Sequence, residues 1–270
     1  MLKRASEIFG QDYDYLDVGE VVSSDYNCPF TSNKCNKQSR LLPYPMGTCA
    51  VRLHDKNVII CPQRYRENDI VFKDVANTFF GSTDNTIVFS EVRVNGIGSF
   101  DFVIVKHEPL RSTVADFVVV EFQSDSTTGT GKLVQNITDV INGDEVGERY
   151  NFGMNTYNTI KLSFIQMLMK GQAIEHWGKN IAWIMQDFIF SNMVRRFALG
   201  DSAFVTEKAN HFFIYDLEHI SNKYSLNLEE KHSYSVTDLI RAFQQDSALP
   251  SLSSFVKTLE ERIKLHLEMS

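Results

Sequence analysis

Three residues inside otherwise apolar stretches could do hydrolytic chemistry. Asp101 sits in Ser99-Phe100-Asp101-Phe102, and Glu121 and Gln123 sit in Val120-Glu121-Phe122-Gln123. Two carboxylates that meet at the ends of strands repel unless a cation joins them. Magnesium suits that role, because it takes one or two carboxylates and leaves its other positions to water or phosphate oxygens. It could polarise a scissile phosphate and lower the pKa of an attacking water. Gln123 cannot titrate near neutral pH, so its amide could orient water or donate to developing phosphorane charge but cannot be the general base. The plainer alternative is that Asp101 begins a strand and that Glu121 and Gln123 lie on its solvated face.

A second set is the cysteines. All four, Cys28, Cys35, Cys49 and Cys61, fall in one region with C-x6-C-x13-C-x11-C spacing, and the 209 residues that follow contain none. Cys28 and Cys61 each precede a proline, which stiffens the chain beside the sulfur. Four thiolates can close a tetrahedral site around iron or zinc and hold together a loop-rich segment. The spacing lacks paired CxxC knuckles, so four buried or free thiols remain the alternative. His54 could replace a ligand, although its place before the strand-like Val58-Ile59-Ile60 favours a loop.

Strands are needed to carry the first set. Residues 86–94 are rich in β-branched residues and end at the turn signal Asn95-Gly96, followed by strand-like 100–105 and 116–123, joined by a polar loop containing Pro109. A hairpin with Val105 facing Phe117 would set Asp101 opposite Glu121. The two-residue period puts Glu121 and Gln123 on one face and Phe122 on the other. From Asn158 the pattern turns helical, with Ile160, Phe164, Ile165 and Leu168 on an apolar face and Lys161 and Gln166 elsewhere. Phe188, Met193 and Phe197 mark another helix, whose Arg195 and Arg196 could reach DNA. Ser235-Val236-Thr237-Asp238 resembles a capping box ahead of Leu239, Ile240 and Phe243. Pro250 precedes a last helix whose Phe255, Leu259 and Ile263 are expected in the core, with a dimer interface as the minority alternative.

Composition narrows the class. The 270 residues are 43% hydrophobic and 23% charged, which is ordinary for a globular chain. No stretch reaches 18 consecutive apolar residues, and the N-terminus has no apolar signal region, so a soluble cytoplasmic protein is expected. The net charge of −7 weighs against nucleic acid at first sight. Yet Lys34, Lys37, Arg40, Arg52, Lys56, Arg64, Arg66 and Lys73 are offset within their segment only by Asp55, Glu67 and Asp69, a local +5 against −12 elsewhere. Such a segment is compatible with phosphate contacts, for which Arg52, Arg64, Arg66 and, further on, Lys132 are candidates; a solvated loop region is the alternative. Gly129-Thr130-Gly131-Lys132 lacks the first glycine and the Ser or Thr of a phosphate loop. The histidines show no metal spacing, and His211 and His219 are expected to be structural or exposed.

Taken together, these residues resemble the NotI-type restriction endonucleases, a variant of the PD-(D/E)xK nucleases with an upstream Asp and an E-x-Q core. The likeness runs in consistent order through Glu7-Ile8-Phe9-Gly10, Cys28-Pro29-Phe30, Gly47-Thr48-Cys49, Cys61-Pro62-Gln63-Arg64, the two hairpin blocks, and Phe164-Ile165-Gln166-Met167. It implies a type II restriction endonuclease, a homodimer that uses Mg2+ to cut both strands of a palindromic site in double-stranded DNA and leaves 5′-phosphates. Asp101, Glu121 and Gln123 would be the catalytic set, Asp101 and Glu121 would hold Mg2+, and Glu91 would assist from the preceding strand. Cys28, Cys35, Cys49 and Cys61 would hold a structural iron, zinc being the alternative. The implied fold is α/β (α+β), a mixed central sheet with flanking helices of the restriction-endonuclease type plus a small four-cysteine subdomain. The expected division is 1–75 for the cysteine region, 76–210 for the nuclease core and 211–270 for a helical part packed on it. This chain departs from the pattern in having no Pro before Asp101, Gln123 where the wider superfamily has Lys, a shorter Glu91–Asp101 spacing and a shorter chain overall. A non-catalytic DNA-binding protein with a four-cysteine metal site is the rival class, and an iron-based electron carrier a weaker third.

Overall fold

The computed structural model describes residues 3–244 and 251–268. The chain opens with a small antiparallel sheet of β1 (Lys3–Ile8), β2 (Gln11–Asp12), β3 (Thr48–Leu53) and β4 (Lys56–Ile59), ordered β2-β1-β3-β4. The short helix α1 (Val18–Ser23) and a long irregular stretch lie between β2 and β3. A 3₁₀ segment, Pro62–Asp69, leads into α2 (Ile70–Phe80). Then comes an antiparallel meander of β5 (Thr86–Val94), β6 (Gly98–His107) and β7 (Val114–Gln123). Gly96, at φ +82°, supplies the left-handed turn residue between β5 and β6 that the Asn-Gly signal calls for.

Beyond β7 the chain leaves the sheet through β8 (Thr127–Thr128), α3 (Thr130–Asn142), β9 (Gly153–Met154) and α4 (Thr156–His176). It returns as β10 (Asn180–Gln186), parallel to β7, and crosses over α5 (Asp187–Phe197) into β11 (Asn210–Ile220), parallel to β10. The antiparallel β12 (Lys223–Tyr234) completes a six-stranded mixed sheet ordered β12-β11-β10-β7-β6-β5. Helices α6 (Val236–Gln244) and α7 (Leu252–Glu268) follow. Among the described residues no helix is long and apolar enough to cross a membrane.

The sheet is covered on both faces, which explains why β10 is almost wholly apolar rather than alternating. Ile181, Trp183 and Met185 join Ile160, Phe164, Met167, Phe190 and Leu239 of α4, α5 and α6 in one core. Ala182 and Ile184 join Val71, Phe72 and Val75 of α2 in the other. A third core packs the N-terminal sheet on Leu133, Val134 and Ile137 of α3 and includes Cys28 and Cys35. Gln186 ties the sheets together, since its Oε1 accepts from Ile59 N at 2.8 Å and its Nε2 donates to Asp216 Oδ1 at 2.6 Å. The boundary expected at residue 75 therefore falls inside a helix packed on the central sheet.

Two expectations for the C-terminal part need correction. Residues 211–270 were expected to be helical, but the central sheet continues through β11 and β12. Phe212-Phe213-Ile214-Tyr215 is buried beside β10, a continuous apolar run of the kind that a doubly covered strand shares with a buried helix. Helix α7 forms as expected, yet none of its residues is buried, with Phe255 57% and Ile263 58% exposed. Helical periodicity fixes an amphipathic face but not what covers it. The capping box ahead of α6 is present in both directions: Ser235 N donates to Asp238 Oδ2 at 2.9 Å and Asp238 N to Ser235 Oγ at 3.1 Å.

Candidate active site

Val105 pairs with Phe117 and Phe102 with Val120, so Asp101 comes level with Glu121 as the hairpin argument expected. The two acids interlock through backbone. Asp101 N donates to Glu121 Oε1 at 3.2 Å, and Phe122 N donates to Asp101 Oδ2 at 2.9 Å. Glu121 and Gln123 face α4, while Phe122 packs in the opposite core. The solvated-face alternative thus fails for Glu121, which is 1% exposed, and for Gln123, which is buried.

Burial dominates the electrostatics. It pushes the Glu121 carboxyl up to about 7, with the neighbouring Asp101 adding to the rise and Lys170 opposing it. Asp101 is raised too, by burial and then, in the same direction, by Glu91, against the Phe122 N–H and Lys170. Glu91 falls between the pairs Ser90–Phe102 and Val92–Phe100, level with Asp101, and is exposed at φ +54°. A left-handed glutamate inside a strand is a strained arrangement of the kind that collects at functional sites. The sheet therefore brings Glu91, Asp101, Glu121 and Gln123 to one end of three adjacent strands.

Helix α4 supplies partners, of which sequence reasoning noted Gln166 but missed Ser163 and Lys170. Lys170 Nζ lies 2.6 Å from Glu121 Oε2, Ser163 Oγ donates to Gln123 Oε1, and Gln123 Nε2 donates to Gln166 Oε1 at 3.3 Å. The buried stripe of α4 is Ile160, Ser163, Phe164, Met167, Lys170, Gly171 and Ile174. A serine and a lysine recurring at core-facing positions was the available signal, whereas Ile165, expected inside, is exposed. Asp125, also missed, fixes the start of α4, accepting from the Thr156 and Thr159 hydroxyls. The stretch 124–132 beyond β7 contains β8 and the first turn of α3.

All four cysteines are buried and unpaired. Cys28 N donates to Asn33 O at 2.7 Å and Cys35 N to Tyr26 O at 3.0 Å, folding one loop; Cys49 lies on β3 and Cys61 just after β4. Burial raises the thiols of Cys35, Cys49 and Cys61; Cys61 adds to the rise at Cys35 and Cys49, and Cys28 to that at Cys35 and Cys61. The donor chemistry suits a soft metal. Among the described residues, however, no group of three or more His, Cys, Asp or Glu side chains is disposed to hold an ion.

The expected phosphate contacts separate in space. Arg64 is corrected to an internal residue: it is 0% exposed, bonded to both Glu7 oxygens, to Glu67 Oε2 and to Tyr224 O. A charge in the core must be paired, and this one is. Arg52 is half-buried on Asn57 and His54 O, and Lys132 is exposed on the first turn of α3. Arg66 lies over Phe102, its Nε buried without a partner, and lines a cavity of about 350 Å3 with Lys73, Thr83 and Ser90. His211 is structural, held between Ser233 and Asn180, and its pKa is lowered to about 4 by burial. His219 is partly exposed and pairs with Asp12 at 2.9 Å.

Interlocked acids beside a buried lysine form a paired-acid cluster at the end of a mixed sheet. The family model of the restriction endonuclease NotI matches residues 16–228, well over half of the chain. The chain belongs to that family, and membership makes it a restriction endonuclease acting on DNA. No curated protein matches it.

Proposed function

We propose that this chain is a type II restriction endonuclease that hydrolyses phosphodiester bonds at a palindromic duplex site in a Mg2+-dependent reaction. The observation that carries the reading is the interlocked pair of Asp101 and Glu121, held at adjacent strand ends with both carboxyls raised by burial. Asp101 and Glu121 would hold the magnesium, since the two adjacent carboxyls repel, Asp101 adding to the rise at Glu121 against the opposing Lys170. When bound, the metal polarises the scissile phosphate and activates water. Glu91 adds negative charge from its strained position inside β5, and Gln123 orients the water or donates to the developing charge. The water oxygen bonds to phosphorus as the P–O3′ bond breaks; O3′ gains a proton from solvent and the water releases one. The products are a 5′-phosphate and a 3′-hydroxyl.

The mixed sheet, with its acid-bearing hairpin beside a parallel strand, supports a restriction-endonuclease-like core. Cutting both strands of a palindrome calls for two such sites, hence a cytoplasmic homodimer. Four buried free thiols, with Cys61 in electrostatic reach of the other three, are the ground for a structural iron, or zinc, on Cys28, Cys35, Cys49 and Cys61 in an N-terminal subdomain, although the four side chains are not gathered around one point in this structure. The test is purified protein with phage DNA, with and without magnesium. Discrete fragments with magnesium only, abolished by Glu121→Ala while binding persists, are expected. Undiminished cutting by Glu121→Ala overturns the assignment, and intact DNA in every reaction favours a non-catalytic DNA-binding protein.

A further inference from the structure

The β6–β7 hairpin presents two carboxylates and a neutral amide at its active end, and no cation. Positive charge arrives instead from α4. Ser163, Gln166 and Lys170 are spaced i, i+3 and i+7, one face of a helix. Ser163 and Gln166 bracket the Gln123 amide from both sides, and Lys170 reaches Glu121 Oε2. A bland account would make Lys170 the counter-ion of a buried glutamate. Three observations take it further. Both carboxylates are already anchored by backbone N–H groups, Glu121 by Asp101 N and Asp101 by Phe122 N, so neither needs Lys170 for placement. The pair stands at the strand ends beside exposed Glu91, and the Lys170 side chain keeps 10% exposure. The helix is also pinned against drift. Asp125 holds its first turn, and Gly171 lies so close to Asn210 that an added Cβ would stand 2.2 Å from Asn210 Oδ1.

We propose that Lys170 is a catalytic residue whose ammonium contacts the scissile phosphate, with Ser163 and Gln166 as positioning residues that hold Gln123. This rests on the nuclease reading above. The ammonium has three donors and spends one on Glu121, which leaves two for the non-bridging oxygens where charge gathers as the P–O3′ bond breaks. The phosphate contact transfers no proton, so the proton balance given above is unchanged. The cation that the E-x-Q hairpin lacks is thereby supplied from a helix 47 positions beyond Gln123.

The experiment compares wild type, Lys170→Gln, the double variant Gln123→Lys/Lys170→Gln, and Glu121→Ala. Single-turnover cleavage of phage DNA is measured at saturating protein and magnesium, DNA binding by anisotropy without magnesium, and folding by thermal melting. Lys170→Gln is expected to slow cleavage about 100-fold or more with an affinity within about threefold of wild type. The double variant returns an ammonium to the acid pair from the hairpin and is expected to recover about tenfold. Cleavage by Lys170→Gln within about threefold of wild type overturns the proposal. So does a folded double variant that recovers nothing, which also decides the matter if Lys170→Gln alone does not fold. Active Lys170→Gln beside inactive Glu121→Ala refutes only the role of Lys170, whereas an active Glu121→Ala refutes the nuclease site itself.

Discussion

Replacing Glu121 by Gln turns the electrostatics of the acid pair into a measurable stability. With its pKa raised from 4.5 to about 7, the folded protein retains a proton at Glu121 that the unfolded chain has released across that window. Stability from this group is therefore full below pH 4.5 and is lost as pH rises through 7. A shift of about 2.5 units corresponds to at most about 3 kcal/mol. Lys170, 2.6 Å away, stabilises the ionised form and is already included in that balance. An expected loss of about 1–3 kcal/mol allows for the strong coupling of the pair. The assay is urea unfolding of wild type and Glu121→Gln at a series of pH values with metal chelated. Other groups titrate in both proteins, Glu7 among them with its own rise to about 7, so the difference between the two curves isolates Glu121. Wild type should lose stability relative to the variant between pH 4.5 and 7.5. Added magnesium should stabilise wild type more at pH 8 than at pH 5 and do little for the variant, because only the ionised pair attracts the ion. Curves that stay parallel within about 0.5 kcal/mol would refute the claim that burial and Asp101 hold Glu121 protonated.

Arg64→Met should cost about 3–5 kcal/mol of unfolding free energy by stranding Glu7, without a specific loss of DNA affinity in the folded fraction. Gly171→Ala forces a methyl against Asn210 and should cost about 1–3 kcal/mol while slowing cleavage, because α4 carries Lys170 away from Glu121; Asn210→Ser in the same chain should restore part of both. Cys49→Ser should lower the iron or zinc content per chain in elemental analysis of the purified protein, and unchanged metal content would remove Cys49 from the proposed site.

The hairpin strands were legible because their information is local: β-branched runs and a two-residue period mark them, and the Asn-Gly signal marks the β5–β6 turn. The β6–β7 register that sets Asp101 against Glu121 was a hypothesis, and only the fold supplies it. The family was legible from the order of cysteine and hairpin blocks. Lys170 was not, because its meaning depends on the crossover that lays α4 across the sheet, and a lysine in a helix ordinarily faces water. Arg64 misled for the same reason in reverse. Its burial against Glu7, 57 positions away, leaves no mark on its neighbours in the chain. Strand β11 was lost because its buried apolar run has no period by which to tell strand from helix, while β12 is largely polar and carries no such run.

The distribution of charge along the chain differs from its distribution over the folded surface. The +5 segment between Lys34 and Lys73 looks like one grip, yet the fold engages much of it in contacts of its own. Lys34 pairs with Asp25 and Lys56 with Asp187, Lys37 bonds Ile60 O beside the cysteines, and Arg64 is in the core. Other positive charge gathers elsewhere: Lys161 and Arg196 lie over the Tyr157 ring, and Arg195 and Arg196 share a cavity of about 460 Å3 with it. A DNA grip on this protein must then be assembled from separate segments, and each phosphate contact should register singly in salt dependence. Arg66, with an unsatisfied buried Nε beside the strand that carries Glu91, is the member of the original segment best placed to contribute. Arg66→Ala should lower the slope of log affinity against log salt by about one, while Arg64→Met leaves the slope of the folded protein unchanged. Equal slope losses in the two variants would mean that the sequence-local patch, and not the folded surface, describes how this enzyme holds DNA.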